Sequence, residues 1–133
     1  MPSVDTNVLM RLLAADDARQ SAQAKALMQR AAHTGESLFV PLTVVLELEW
    51  VLRSRYEYAK EQVLATLSSL LETRELVFQD EAAVEHAMAY YRLNRLDFAE
   101  CLHLGCAASA GRLPLMTFDR AAARVEGAKL MGT

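Results

Sequence analysis

Three short apolar runs, Leu38-Phe39-Val40, Leu76-Val77-Phe78 and Leu115-Met116-Thr117, are set apart by long stretches of helix-forming sequence, and this alternation constrains the chain more than any other feature. Parallel strands cannot be joined by a tight hairpin; they need a crossover of a dozen or more residues, usually a helix. Runs of this length with helices between them therefore predict an α/β fold with parallel strands. In open sheets of that class, ligands bind at the carboxyl ends of the strands. The residues just after each strand are thus the first place to look for chemistry.

The remaining elements follow from local signals. Pro2 to Val4 reads as a short buried strand ending in Asp5-Thr6-Asn7, and Val8 to Ala14 as a short helix with Asp16 and Asp17 as stop or cap residues. Ala18 to Ala32 is rich in strong helix formers with a polar outer face, and His33 to Glu36, containing Gly35, is a loop. Pro41 stops the Leu38 strand; Thr43 to Arg55 is a buried helix and Lys60 to Glu72 an amphipathic one. Asp80 to Leu93 forms a helix with Asp80 as N-cap, and Asp97 to Ala110 another, closed by Gly111. Asp119 starts a last short helix, and Ala128 to Met131 is a final edge strand.

No repeat, low-complexity tract or linker interrupts the chain, so residues 1–133 are expected to form one domain. With 53% apolar residues, that domain can bury a sizeable core without a disulfide framework. The longest apolar runs, such as Leu38 to Leu46, are too short and too interrupted to span a bilayer, and Asp5 and Arg11 break the first apolar stretch. A soluble, cytoplasmic protein with no membrane partner is expected. The two cysteines, Cys101 and Cys106, fall on different sides of one helix, which suits buried small hydrophobes in a reducing compartment. A net charge of −3 argues against indiscriminate nucleic-acid binding, yet arginine outnumbers lysine 11 to 3, and arginine suits phosphate contacts. Charge alone leaves the substrate open.

The acids are more telling. Asp5 ends the first strand and Asp119 follows the Leu115 strand, so both are expected to project at one sheet edge; each also has an ordinary reading as the cap of the helix that follows. Glu47 is placed on a helical face with Thr43, Val44, Trp50 and Val51, where a carboxylate costs several kcal/mol, on the order of a few, unless it is paired or binds metal. Glu49 lies opposite, with Arg53 four residues on, and a surface ion pair accounts for it. Asp97 and Glu100 share a face at the start of their helix, either as a capping box or facing the same pocket as Asp5. Convergent carboxylates suit a hard cation such as Mg²⁺. Such an ion lowers the pKa of a bound water and orients it for in-line attack on a phosphodiester.

Other site classes are absent from the sequence. His33, His86 and His103 are scattered without zinc spacing, and His103 reads as a partly buried packing residue. The five glycines are isolated, which excludes a phosphate-binding loop, and no Gly-x-Ser-x-Gly elbow occurs. The nine aromatics form no basic-aromatic platform, and Phe98 and Phe118 are expected in the core.

Four segments together resemble the PIN-domain family, in particular its VapC-type toxins. Val4-Asp5-Thr6-Asn7-Val8-Leu9 looks like the amino-terminal signature and Pro41-Leu42-Thr43-Val44-Val45-Leu46-Glu47-Leu48 like the second block. Asp97-Phe98-Ala99-Glu100-Cys101-Leu102-His103 looks like the third and Thr117-Phe118-Asp119-Arg120 like the fourth. Each is short; four in the family's order and spacing, over almost the whole chain, are fairly specific. The resemblance implies a three-layer α/β/α sandwich with a central parallel sheet. It implies Mg²⁺- or Mn²⁺-dependent endoribonuclease activity, an RNA substrate, inhibition by a VapB-like antitoxin, and a homodimer, for which the apolar side of Lys60 to Glu72 is a candidate interface. It also implies an acidic site of Asp5, Glu47, the third-block acid and Asp119, with Thr6 or Asn7 and Thr117 orienting those acids. One departure stands out: Glu100 occupies a place where the family usually has aspartate. One methylene moves the carboxylate outward by roughly 1.5 Å, which weakens metal binding or shifts ligation to Asp97, so both acids are candidates.

Three functions fit this pattern. The first is an endoribonuclease toxin. The second is a catalytically weak module of the same fold that grips a partner's arginine in its acidic pocket. The third is a housekeeping RNA-processing nuclease.

Overall fold

The three apolar runs fold as strands β1 (Leu38–Val40), β2 (Leu76–Phe78) and β3 (Leu115–Thr117), and Ala128–Leu130 adds β4, in a computed structural model that describes residues 1–132. Six helices separate them: α1 (Thr6–Leu13), α2 (Ala18–Thr34), α3 (Leu42–Ser54), α4 (Lys60–Leu71), α5 (Glu81–Leu93) and α6 (Phe98–Ser109). The α/β class with parallel strands is what the structure has: β1 pairs with β2 and β3 with β4, both in parallel. The chain divides into two units, Met1–Gln79 and Asp80–Thr133, each holding one of these strand pairs.

In the first unit, β1 ends because Pro41 follows, and Pro41 is also the N-cap of α3. Its carbonyl accepts from the amides of Val44 and Val45. Leu38 and Val40 face inward from β1, and Leu76 and Phe78 from β2 at matching register. The segment before Asp5 is less regular than a strand. Ser3 forms a single parallel bridge with Phe39, flanked by bonds from the Val4 amide to the Phe39 carbonyl (2.9 Å) and from the Phe39 amide to the Pro2 carbonyl (2.8 Å). Three residues leave no room for more, because Asp5 already caps α1. Leu48 and Leu52 of α3 and Val63 and Leu67 of α4 are fully buried; burying each such side chain contributes roughly 1.5–3 kcal/mol. The apolar side of α4, a candidate dimer interface on sequence, is therefore core within the protomer. Gly35 ends α2 at φ 74°, a left-handed conformation that glycine adopts without strain.

The second unit is built on α5 and α6. A Cβ on Gly105 of α6 would lie 2.3 Å from the Ala83 carbonyl of α5, so only glycine permits this approach of the two helices. Tyr91 and Phe98 meet edge to face with ring centroids 5.2 Å apart. Asp80 caps α5 by accepting from the Ala83 amide, and the Ser109 hydroxyl donates to the same oxygen at 2.6 Å, which ties the start of α5 to the end of α6. The helix expected after Asp119 is a single 3₁₀ turn, Ala122–Arg124.

Phe98 is buried as expected, whereas Phe118 is 83% exposed. The alternation of β3 explains the difference: Met116 and Phe118 share the outward face, and Leu115 and Thr117 the other. His103 is exposed rather than partly buried, because its neighbours Leu102 and Leu104 take the buried positions. Cys101 is buried and Cys106 half-buried, and neither is joined in a disulfide among the described residues. Burial raises the Cys106 thiol above its ordinary pKa, with the Asp80 charge adding to the effect. Among the described residues no helix is long and apolar enough to cross a membrane.

Candidate functional site

The site residues of the first unit sit where the chain turns from its first extended segment into α1. Asp5 is the N-cap: one oxygen of its exposed carboxylate accepts from the Val8 amide at 3.0 Å. The capping reading is thus correct for Asp5, and it uses one of two carboxylate oxygens. Thr6 is buried, and its hydroxyl donates to the Glu47 carboxylate on α3. This bond joins the first and second sequence blocks across 41 positions. Asn7 is exposed and borders a cleft described below.

The two glutamates of α3 exchange the environments expected of them. Glu47 is exposed, not embedded in an apolar stripe, and Trp50, taken as part of that stripe, is 49% exposed with the Arg55 guanidinium 5.7 Å from its ring centroid. Glu49 is the buried one, at 2% exposure, and its pair with Arg53 at 2.7 Å carries a carboxylate out of water. The physical reason is the choice of face. Val45, Leu48 and Leu52 are wholly buried and fix the inward side of α3; Glu49 falls beside that row and Glu47 away from it. Burial in an apolar face is therefore no argument for Glu47. Its hydrogen bond to Thr6 is.

In the second unit, Asp97 is the N-cap of α6, yet among the described residues its side chain makes no cap hydrogen bond. Asp5, Asp17 and Asp80 each do so at their own helices. The capping-box reading of Asp97-Phe98-Ala99-Glu100 accordingly lacks its first bond. Glu100 follows in the first turn of α6, half-buried. Asp119 is exposed, and one of its oxygens accepts from the amides of Ala121 (2.8 Å) and Ala122 (3.2 Å). Thr117 supports it through the backbone, its hydroxyl accepting from the Asp119 amide at 3.0 Å.

The five acids are thus divided, Asp5 and Glu47 in the first unit and Asp97, Glu100 and Asp119 in the second. Among the described residues no group of three or more His, Cys, Asp or Glu side chains stands ready as a metal cage. The donor chemistry is nevertheless of one kind: carboxylate oxygens, with a threonine hydroxyl holding one of them. Such a set matches Mg²⁺ or Mn²⁺, and lacks the imidazole and thiolate ligands that zinc prefers.

Two further features were not legible as site elements in the sequence. A network runs from the Tyr56 hydroxyl to Asp16 (2.6 Å), from Arg11 to Asp16 (3.0 Å), and from Arg11 Nε to the Gln20 side-chain oxygen Oε1 (2.6 Å). The Tyr56 hydrogen bond holds the Asp16 carboxyl below its ordinary pKa and pushes the Tyr56 phenol up. Beside this network, Asp5 and Asn7 border a cleft of about 430 Å³ whose α2 wall carries Gln20, Gln23, Leu27 and Arg30. The spacing of those four, three or four residues apart, was the available signal; it marks one helical face that reads as ordinary solvated surface.

Comparison with known proteins adds the family. The PIN domain model matches residues 3–128. A VapC ribonuclease of Aquifex aeolicus (strain VF5) is 23% identical over 120 residues, covering 90% of this chain and 88% of that protein. With nearly its whole length matched by that model, the chain belongs to the PIN domain family.

Proposed function

We propose that this protein is a Mg²⁺- or Mn²⁺-dependent endoribonuclease, the toxin of a toxin–antitoxin pair. Membership of the PIN family and the likeness to a VapC ribonuclease support the reading. The observation that carries it is the Thr6 hydroxyl bonded to Glu47, one residue after Asp5. The bond satisfies the buried Thr6 hydroxyl, which any nearby acceptor would do; that the acceptor is an exposed carboxylate means the bond also fixes that acid in place. It makes sense as support for an acid whose position matters.

In this reading Asp5, Asp97, Glu100 and Asp119 supply oxygen ligands, and Glu47 completes the acidic set. A bound divalent ion lowers the pKa of a water for in-line attack and offsets charge on the leaving oxygen. Thr6 fixes the Glu47 carboxylate, and Thr117 fixes the backbone from which Asp119 projects. Asp5 and Asp119 each hold one oxygen in a helix-start bond, which limits their rotation and leaves the other for a ligand. The partners are RNA, an antitoxin that covers the acids with an arginine, and a second copy of the chain.

Sequencing of RNA ends after induced expression tests this. Wild type should produce new ends at defined sites, and Asp5→Asn should produce none. Identical end profiles from the two proteins would contradict the proposal. The substitution of aspartate by Glu100 favours a second reading, a module that grips a partner arginine without cleavage. It requires that purified wild type leave RNA intact at any Mn²⁺ concentration.

A further inference from the structure

Of the large hydrophobic side chains described, Phe118 is the most exposed, at 83%, and it directly precedes Asp119. Its backbone is held on both sides. The Thr117 carbonyl accepts from the Met131 amide at 2.8 Å, and the Thr117 hydroxyl reaches past Phe118 to accept from the Asp119 amide at 3.0 Å. Asp119 in turn is bound to the amides of Ala121 and Ala122. A phenyl ring is thus offered to solvent from a fixed stretch of chain, and among the described residues it meets no other ring and no guanidinium. Single exposed apolar residues are ordinary; this one has company. Met116 shares its face of β3 and is exposed, and Lys129 of β4, also exposed, stands beside Met116 in register. Met131, exposed, continues β4 on the same alternation. The charge of this stretch has one sign in excess. From Arg112 to Met131 the chain carries four basic side chains (Arg112, Arg120, Arg124, Lys129) and two acidic ones (Asp119, Glu126), a net +2 in a chain of net −3. Among the described residues none of these six forms an ion pair, so the excess is not cancelled by contact.

We propose that Phe118 is a stacking platform for one base of the RNA strand, beside the phosphate cut at Asp119. This rests on the ribonuclease reading and names how its substrate is held at the Asp119 end. Every base has a π-face, so an aromatic side chain on fixed backbone can take an unpaired base of any identity. Single-stranded RNA is held in this way, with bases stacked on aromatic rings and the phosphates followed by cationic groups. Arg120, two residues on and exposed, and Lys129, on the same face as Met116, supply those cations. A second copy of the chain is the other occupant an apolar face could have. A two-fold contact would set the positive excess against itself, and like charges across an interface oppose association. A polyanion turns the same charges into attraction. Charge therefore favours RNA over a second copy.

A single-stranded oligoribonucleotide carrying one iodouridine, bound to the protein in EDTA, tests the platform without cleavage. Irradiation should join the RNA to Phe118, read by mass spectrometry of the digested adduct. Phe118→Leu keeps an apolar side chain of similar size and removes the π-face. It should weaken binding by about tenfold, toward the lower end of what one base–aromatic stack contributes. Phe118→Trp, with a larger face, should bind at least as tightly as wild type. Arg120→Ala and Lys129→Ala should each lower the slope of log K against log salt by about 0.7, the release expected for one phosphate of a single strand. All three positions are exposed, and melting temperatures matching wild type will show that the variants fold. With Mn²⁺ present, Phe118→Leu should raise KM more than it lowers kcat. Binding by Phe118→Leu as tight as wild type would overturn the proposal, as would crosslinks confined to other residues or no RNA binding by wild type. A gel-filtration volume changed by Phe118→Leu with RNA binding intact would also overturn it, and would make the face a contact between copies. The two readings fail separately. Metal-dependent cleavage with Phe118→Leu equal to wild type sinks only the platform; Phe118-dependent binding without cleavage by wild type keeps the platform and sinks the nuclease.

Discussion

The acids of the two units are held differently. In the first unit both are fixed: Asp5 by the Val8 amide and Glu47 by the Thr6 hydroxyl. In the second, Asp119 is bound to two amides, while Asp97 stands at a helix start without a cap bond and Glu100 has one more methylene than the family's usual aspartate. The difference teaches that a helix N-cap and a site acid are not competing identities. Capping uses one oxygen and sets the direction of the other. At α6, where that device is missing, what holds the helix itself is the close approach of Gly105 to Ala83 of α5.

That contrast can be broken most severely at Gly105. Gly105→Ala forces a methyl against backbone and should destabilise the protein by about 1–3 kcal/mol, measured by urea unfolding; a loss below about 0.5 kcal/mol, the scale of a neutral surface change, would mean that α6 is not locked by this contact. Thr6→Val comes next. It keeps shape and burial, removes the bond to Glu47, and should lower kcat/KM by on the order of tenfold, near 1.4 kcal/mol of barrier. Thr6→Ser should restore most of it. At the looser end, Glu100→Asp should raise kcat/KM by roughly threefold, about 0.7 kcal/mol, and a fall instead would show that the longer side chain is required.

The smallest effect concerns the network behind the cleft. The Tyr56 bond depresses the Asp16 pKa, so its contribution is present above the unfolded-state value and lost as pH falls through the lower folded value. The same bond raises the Tyr56 pKa, so its contribution is present below the phenol's unfolded value and lost as pH rises through the higher folded one. Thermal melts of Tyr56→Phe against wild type should therefore differ slightly near neutrality and converge at both extremes.

The strands were legible because each is an apolar run bounded by a breaker or a charge: β1, β2 and β3 fall at the residues read from sequence. Helix caps were legible too, with Asp80 acting as expected and Asp17 capping α2. The face of α3 was not. Val44 and Val51 are buried beside Val45, Leu48 and Leu52, and a large tryptophan extended that apolar face in the wrong direction, toward Glu47. Arg55 lying over the Trp50 ring is what makes that residue acceptable in water, a partner five positions away that no single-face pattern announces. Phe118 misled similarly, since hydrophobicity says nothing about which side of a strand faces out. For the site, the sequence supplied the acids and Thr6, but the wall of Gln20, Gln23 and Arg30 needed coordinates, because a polar helical stripe looks the same whether it faces solvent or a cleft.

Calorimetric titration of the metal-stripped protein with Mn²⁺ tests the central claim most directly. Wild type should bind saturably at or below millimolar concentration, and Asp5→Asn should lose that heat while keeping its melting temperature, since asparagine caps a helix as well as aspartate does. No binding by wild type, or equal binding by both proteins, would contradict the account.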